Sequence, residues 1–235
     1  MLMRPRARVA SESPFRRMVS STLHESPVRI AAGSATLDGD LVLPEGAVGI
    51  VLFAHGSGSS RTSPRNRHVA RQLNDAGLAT LLMDLLTPAE EADDDRTRQW
   101  RFDIGLLAAR MIAVTDWVGE QAPTRHLPVG SFGASTGAAA TSAAGRPDVT
   151  RAVVSRGGRP DLAEDALADV RAPTLLIVGG ADTEVIELNR RALLALPGDK
   201  RMTLVPNAGH LFEEPGALDK VAALARDWFV EHLRP

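Results

Sequence analysis

Residues 133–137 read Gly-Ala-Ser-Thr-Gly, with Ser135 between two glycines where the apolar run "LPVGSF" (127–132) meets a row of alanines. A G-x-S-x-G segment between a strand and a helix is the pattern of a nucleophile elbow, a sharp turn that lifts a serine hydroxyl above a sheet edge. Side chains at Gly133 and Gly137 would strike the neighbouring strand or helix. The helix that starts at Thr136 turns its dipole and free N–H groups toward a developing anion. A serine hydroxyl is a weak nucleophile until a base accepts its proton. His210, in "PNAGHLF" after the last apolar strand, is the candidate base. His55 is the rival, but it directly precedes Gly56 at a strand end, which suits an oxyanion loop better. His68 falls in a helical segment and reads as a surface residue.

An imidazole base needs an acid to fix its tautomer. Asp182, in "VGGADTEV", follows the penultimate strand; Asp161 is the reserve and Glu184 a weaker candidate. The chain order Ser135, Asp182, His210 is the order of the elbow class. The oxyanion donors expected are the backbone N–H of Thr136 and that of Ser57 in "HGSGSS" (55–60), with Gly58 as the alternative to Ser57. Each residue has a plainer reading: an incidental serine at a glycine-alanine helix start, a helix-capping Asp182, a surface-loop His210. Their shared address, just past successive strands, favours chemistry.

That address follows from the pattern of elements. "VRI" and "ATLDGDLVL" suggest an opening strand pair with Asp38-Gly39 as its hairpin turn. The continuous apolar run at 48–54 reads as a strand buried on both faces, 78–85 as the next buried strand, and 127–132, 151–155, 174–179 and 201–206 as further strands. Helical spacing covers 65–77, a stretch from Phe102 to Trp117, the segment after Ser135, 184–196 and 215–233. The acidic run "EEADDD" (90–95) reads as a solvated loop. Alternating strands and helices imply a mostly parallel sheet with helices on both faces, and ligands at the carboxyl ends of its strands.

Composition narrows the function classes. With 27 Lys plus Arg against 29 Asp plus Glu and a net charge of −2, nothing in the charge points to nucleic acid or an anionic membrane. Cys is absent, so thiolate, disulfide and Cys-metal chemistry are excluded, and the 6 His form no pair at metal-ligand spacing on a helix. No cofactor or metal is expected. No apolar run approaches the length of a membrane span. Residues 1–27 are rich in Arg, Ser and Pro and lack a secretory apolar core, which reads as a flexible extension before a single domain at 28–235. A cytoplasmic protein acting on a small molecule is the expectation. Arg61, Arg65, Arg156 and Arg159 fall in loops at the catalytic edge, where they would bind a carboxylate or phosphate of the substrate or form salt bridges with the 90–95 run or Asp161.

Taken together, "VLFAHGSGSS", "FGASTGAAA", "LLIVGGADTEV" and "NAGHLFEEPGAL", in this order, resemble the α/β-hydrolase superfamily and its small dienelactone-hydrolase-like members over residues 28–233. The resemblance implies an eight-stranded, mostly parallel sheet and a Ser135–His210–Asp182 hydrolase. Dienelactone hydrolases themselves use a cysteine nucleophile, so the likeness does not extend to dienelactone activity. Residues 156–173 are too few for the lid domain many relatives insert there, which points to an open site and small soluble esters.

Overall fold

Apolar runs with no polar alternation belong in the middle of a sheet covered on both faces. The structure, a computed structural model describing residues 24–144, 146 and 148–234, bears this out. Its eight strands are β1 (His24–Ala32), β2 (Ala35–Leu43), β3 (Ile50–Ala54), β4 (Ala79–Met83), β5 (Val129–Ala134), β6 (Thr150–Arg156), β7 (Thr174–Gly179) and β8 (Lys200–Val205). They form one sheet in the order β1-β2-β4-β3-β5-β6-β7-β8. β1 and β2 pair antiparallel, as do β2 and β4; every other neighbouring pair is parallel.

Alternate residues of β3 separate the two core layers. Val51 and Phe53 pack with Phe132 under α1 (Pro64–Asp75) and α6 (Ala217–Leu233), while Ile50, Leu52 and Ala54 face α3 (Ile104–Glu120). The rings of Phe53 and Phe132 lie 4.8 Å apart at 32°; full burial of each stabilises the fold by about 2–3 kcal/mol. α4 (Thr136–Ala143) and α5 (Thr183–Ala195) continue the α3 side. Between β6 and β7 the chain makes only a 3-10 segment, Pro160–Asp169, kinked at Glu164. No large lid is built there.

Four expectations change. The hairpin turns at Gly33-Ser34, where Gly33 takes φ +63°, and not at Asp38-Gly39. Gly39 lies mid-strand opposite Val28 and Met83, its missing side chain leaving room for Leu81 and Val28. The acidic run is helical: it belongs to α2 (Pro88–Thr97), started by Pro88 and a capping box in which Thr87 and Glu90 bond each other's backbone N–H. Phe102 stays outside α3 and exposed, because Asp103 caps that helix through the Leu106 N–H at 2.9 Å. β1 begins at His24, so residues 24–27 are strand; the remainder of the expected extension, residues 1–23, lies outside the described residues.

Candidate active site

β5 ends at Ala134 and α4 starts at Thr136, so Ser135 alone makes the turn, at φ 50° and ψ −122°. A non-glycine residue persists there only where its surroundings hold it. They do so by close approach. A Cβ on Gly133 would lie 2.6 Å from Ala138 N, and one on Gly137 2.6 Å from His55 O. The Ser135 carbonyl accepts the N–H groups of Ala138 (3.1 Å) and Arg159 (3.0 Å), and its own N–H donates to Arg156 O (3.4 Å). The serine itself is half-buried.

His210 Nδ1–H donates to Asp182 Oδ2 at 2.8 Å. This bond fixes the tautomer and leaves Nε2 with its lone pair. The two loops are tied together by the Ala181 N–H to Ala208 O bond at 2.9 Å. Of the other acid candidates, Asp161 is held by Arg159 at 2.8 Å, and Glu184 is exposed in the first turn of α5. Gly157 links the elbow side to the histidine: it follows Arg156, and a Cβ there would lie 2.9 Å from His210 O and 3.7 Å from its Nδ1. Among the described residues neither His210 Nε2 nor Ser135 Oγ has a hydrogen-bond partner. Such bonds commonly tighten only when substrate arrives.

The loop after β3 passes directly over the elbow, where a Cβ on Gly56 would sit 2.9 Å from Ser135 Cβ. His55 anchors it. Its buried ring accepts the Leu85 N–H on Nε2 (3.0 Å) and donates from Nδ1 to Gly56 O (2.9 Å). Burial pushes its pKa below the usual 6.5, against the Gly56 bond and the field of Asp84. A neutral, doubly bonded imidazole is a structural post, as its place in the sequence suggested. Further along, Asp84 accepts the Arg61 backbone N–H at 2.7 Å and pairs with its guanidinium. Ser57 is brought to Thr136 as expected. Its N–H, however, already donates to Thr136 Oγ1 at 3.0 Å, so it is not an open oxyanion donor in this arrangement. The Thr136 N–H, at the first position of α4, has no acceptor within the helix. A small cleft runs from this loop past Leu85, Leu86 and Leu107 to Asp94 and Arg101.

The four arginines separate into two kinds. Arg61 is neutralised by Asp84 and by Asp40 at 3.5 Å, and Arg159 by Asp161. Among the described residues Arg65 pairs only with the exposed Glu213, at 3.3 Å, and its Nε is buried without a partner. Arg156 is buried with no carboxylate in contact among the described residues. Its Nη2 donates to Asn66 Oδ1 at 3.4 Å, its guanidinium lies 5.9 Å from the Phe212 ring centre, and its Nε is unpartnered. Burial, with Arg65 adding repulsion, pushes its pKa down to about 10. The acidic 90–95 run pairs elsewhere, with Arg96, Arg101 and Arg110. Sequence reading missed Asn66, Phe212 and the Thr136 hydroxyl. Asn66 carries no local signal, since its partner is 90 positions away.

No protein-family model matches the chain. The structure of a dienelactone hydrolase from Anabaena variabilis superposes with a TM-score of 0.88 at 60% identity, covering 90% of this chain and 99% of that one. The esterase Est1E from Butyrivibrio proteoclasticus superposes at 0.73 with 15% identity, over 87% of this chain and 98% of its own; at that identity the likeness is one of fold. A Mycobacterium tuberculosis protein named provisionally as a phosphoribosyl transferase is 60% identical over 213 residues, 90% of this chain but 47% of that protein. The chain thus spans about half the length of the curated relatives it matches. Near-complete mutual coverage at 60% identity with the Anabaena protein settles the family: the chain belongs to the dienelactone-hydrolase-like members of the α/β-hydrolase superfamily.

Proposed function

We propose that the chain is a serine hydrolase that cleaves carboxylic esters of small substrates through an acyl-enzyme on Ser135. The observation that carries this reading is the 2.8 Å bond from His210 to Asp182 beside a serine held at positive φ. His210 Nε2 takes the Ser135 proton as Oγ attacks the acyl carbonyl. The tetrahedral oxyanion is met by the Thr136 N–H at the start of α4. The protonated imidazole then gives its proton to the leaving alcohol. Water, deprotonated by the same nitrogen, releases the acid and restores the serine. Lactones, thioesters and amides pass through the same intermediate, and an acceptor other than water would make the reaction an acyl transfer.

Arg156 and Arg65 narrow the substrate. A buried guanidinium with no carboxylate in contact among the described residues, at the end of β6 opposite Ala134 of the elbow strand, favours an ester bearing a carboxylate or phosphate group. Arg61 and Arg159 hold structural ion pairs and drop out of this role. The relative's transferase name belongs to a protein about twice this length. The hydrolase fold lies in the matched half, which favours hydrolysis for this chain. A cytoplasmic location suits a small polar ester; among the described residues no helix is long and apolar enough to cross a membrane.

A fluorophosphonate probe tests the serine. Labelling of the wild type that vanishes in Ser135→Ala is the expected result. An unlabelled wild type would favour a catalytically silent binding role. Turnover of p-nitrophenyl esters of increasing chain length then sizes the acyl group.

A further inference from the structure

We propose that the side-chain hydroxyl of Thr136 is itself an oxyanion donor, with the Ser57 N–H acting behind it. The inference rests on the serine-hydrolase reading of Ser135 and deepens it. Thr136 is buried, yet it borders the cleft beside the elbow. Its Oγ1 accepts the Ser57 N–H at 3.0 Å, a bond between positions 79 residues apart. A hydroxyl carries one proton and two lone pairs. One lone pair is used by Ser57, and among the described residues the proton has no acceptor. At the first position of α4, no earlier turn of that helix offers a carbonyl to take it. Buried donors are normally satisfied, so an idle one beside a nucleophile points to a partner that arrives with the substrate.

The negative oxygen of the tetrahedral intermediate is that partner. It accepts the backbone N–H of Thr136 and the hydroxyl proton of the same residue, both as hydrogen bonds with no proton transferred. Accepting from Ser57 polarises the Thr136 O–H and strengthens what it donates onward. The loop after β3 thus reaches the oxyanion through a relay and not directly. A purely structural alternative exists, in which the Ser57–Thr136 bond only fastens the loop to α4.

The test uses fluorophosphonate labelling of the full chain, since the phosphoryl oxygen occupies the oxyanion site as Ser135 is phosphonylated. Thr136→Val keeps the shape and removes the hydroxyl. The maximal labelling rate should fall about 10²-fold, as for loss of one oxyanion donor, with the half-saturating probe concentration unchanged. Thr136→Ser should stay within about threefold of wild type. Thr136→Ala gives the same comparison if the valine variant does not fold. A labelling rate for Thr136→Val equal to or above wild type would overturn the proposal, because the freed Ser57 N–H would then be the donor. A rise in half-saturating concentration with an unchanged maximal rate would also overturn it, in favour of the fastening role. An unlabelled wild type would overturn the serine reading first, and this inference with it.

Discussion

Replacing Arg156 with methionine should make the protein more stable and worse at its work. The guanidinium is buried, and burial pushes its pKa down to about 10, well below the usual arginine range, because the fold tolerates the charge poorly. At about 1.4 kcal/mol per pH unit, the cation costs the folded state roughly 3 kcal/mol at neutral pH. Against this stand a cation–π contact with Phe212 near the outer limit of such contacts and a long bond to Asn66. Each contributes at most about 1 kcal/mol. Methionine keeps most of the stem's packing and removes the charge, a replacement that often stabilises. The net gain is then about 1–2 kcal/mol, or a Tm higher by roughly 3–6 °C for a chain of this size. The sign holds at pH 7, where the group is protonated in both states; the cost fades as pH rises above about 10 toward the ordinary arginine range. Thermal unfolding reads the stability. Paired rates on a neutral p-nitrophenyl ester and its carboxylate-bearing analogue read the function, with the loss confined to the anionic ester. A Tm at or below wild type would mean that the buried charge has a stabilising partner. Equal losses on both esters would remove Arg156 from substrate recognition.

Asp182→Asn should preserve the fold and lower kcat by about 10⁴, because an amide no longer enforces the Nδ1–H tautomer of His210. A loss under tenfold would return Asp161 or Glu184 to consideration. His55→Gln, which keeps an acceptor for the Leu85 N–H, should flatten the acid side of the stability profile. The unfolded histidine binds its proton as pH falls through 6.5 while the folded ring resists, so the stability present above 6.5 declines below it. Denaturant midpoints at pH 8 and pH 5 should lie closer together in the variant; an unchanged gap would show that folded His55 is already charged.

Chemistry carried by short spacings was readable in the chain. Gly133 and Gly137 bracket Ser135, the proposed nucleophile, and the loops after β7 and β8 hold the candidate acid Asp182 and candidate base His210. The acidic 90–95 run misled because composition suggested solvent, whereas Pro88 and the Thr87–Glu90 capping box start a helix. Asp94 in that helix is buried, bonded by the N–H groups of Trp100 and Arg101. Asp38-Gly39 has turn chemistry, but the alternation that buries Leu37, Gly39 and Leu41 runs straight through it, and a turn there would expose one of them. The sorting of the arginines needed tertiary contacts. Arg156 reaches Asn66, and Arg61 reaches Asp84, across intervals that no local pattern spans.

The antiparallel end of the sheet has a role beyond closing its edge. Asp40 on β2 pairs with Arg61 and Arg67, and the Asp84 N–H donates to Asp38 O at 2.9 Å. The loop over Ser135 is therefore fastened to the outer hairpin as well as to the parallel core. Outer hairpins belong to the weaker cooperative units of a domain, those that open before global unfolding. On heating, the loop would come free with the hairpin while Asp182, His210 and the six remaining strands stay in place. Heat inactivation of the proposed hydrolase would then be an early and reversible event, set by the two strands of the outer hairpin.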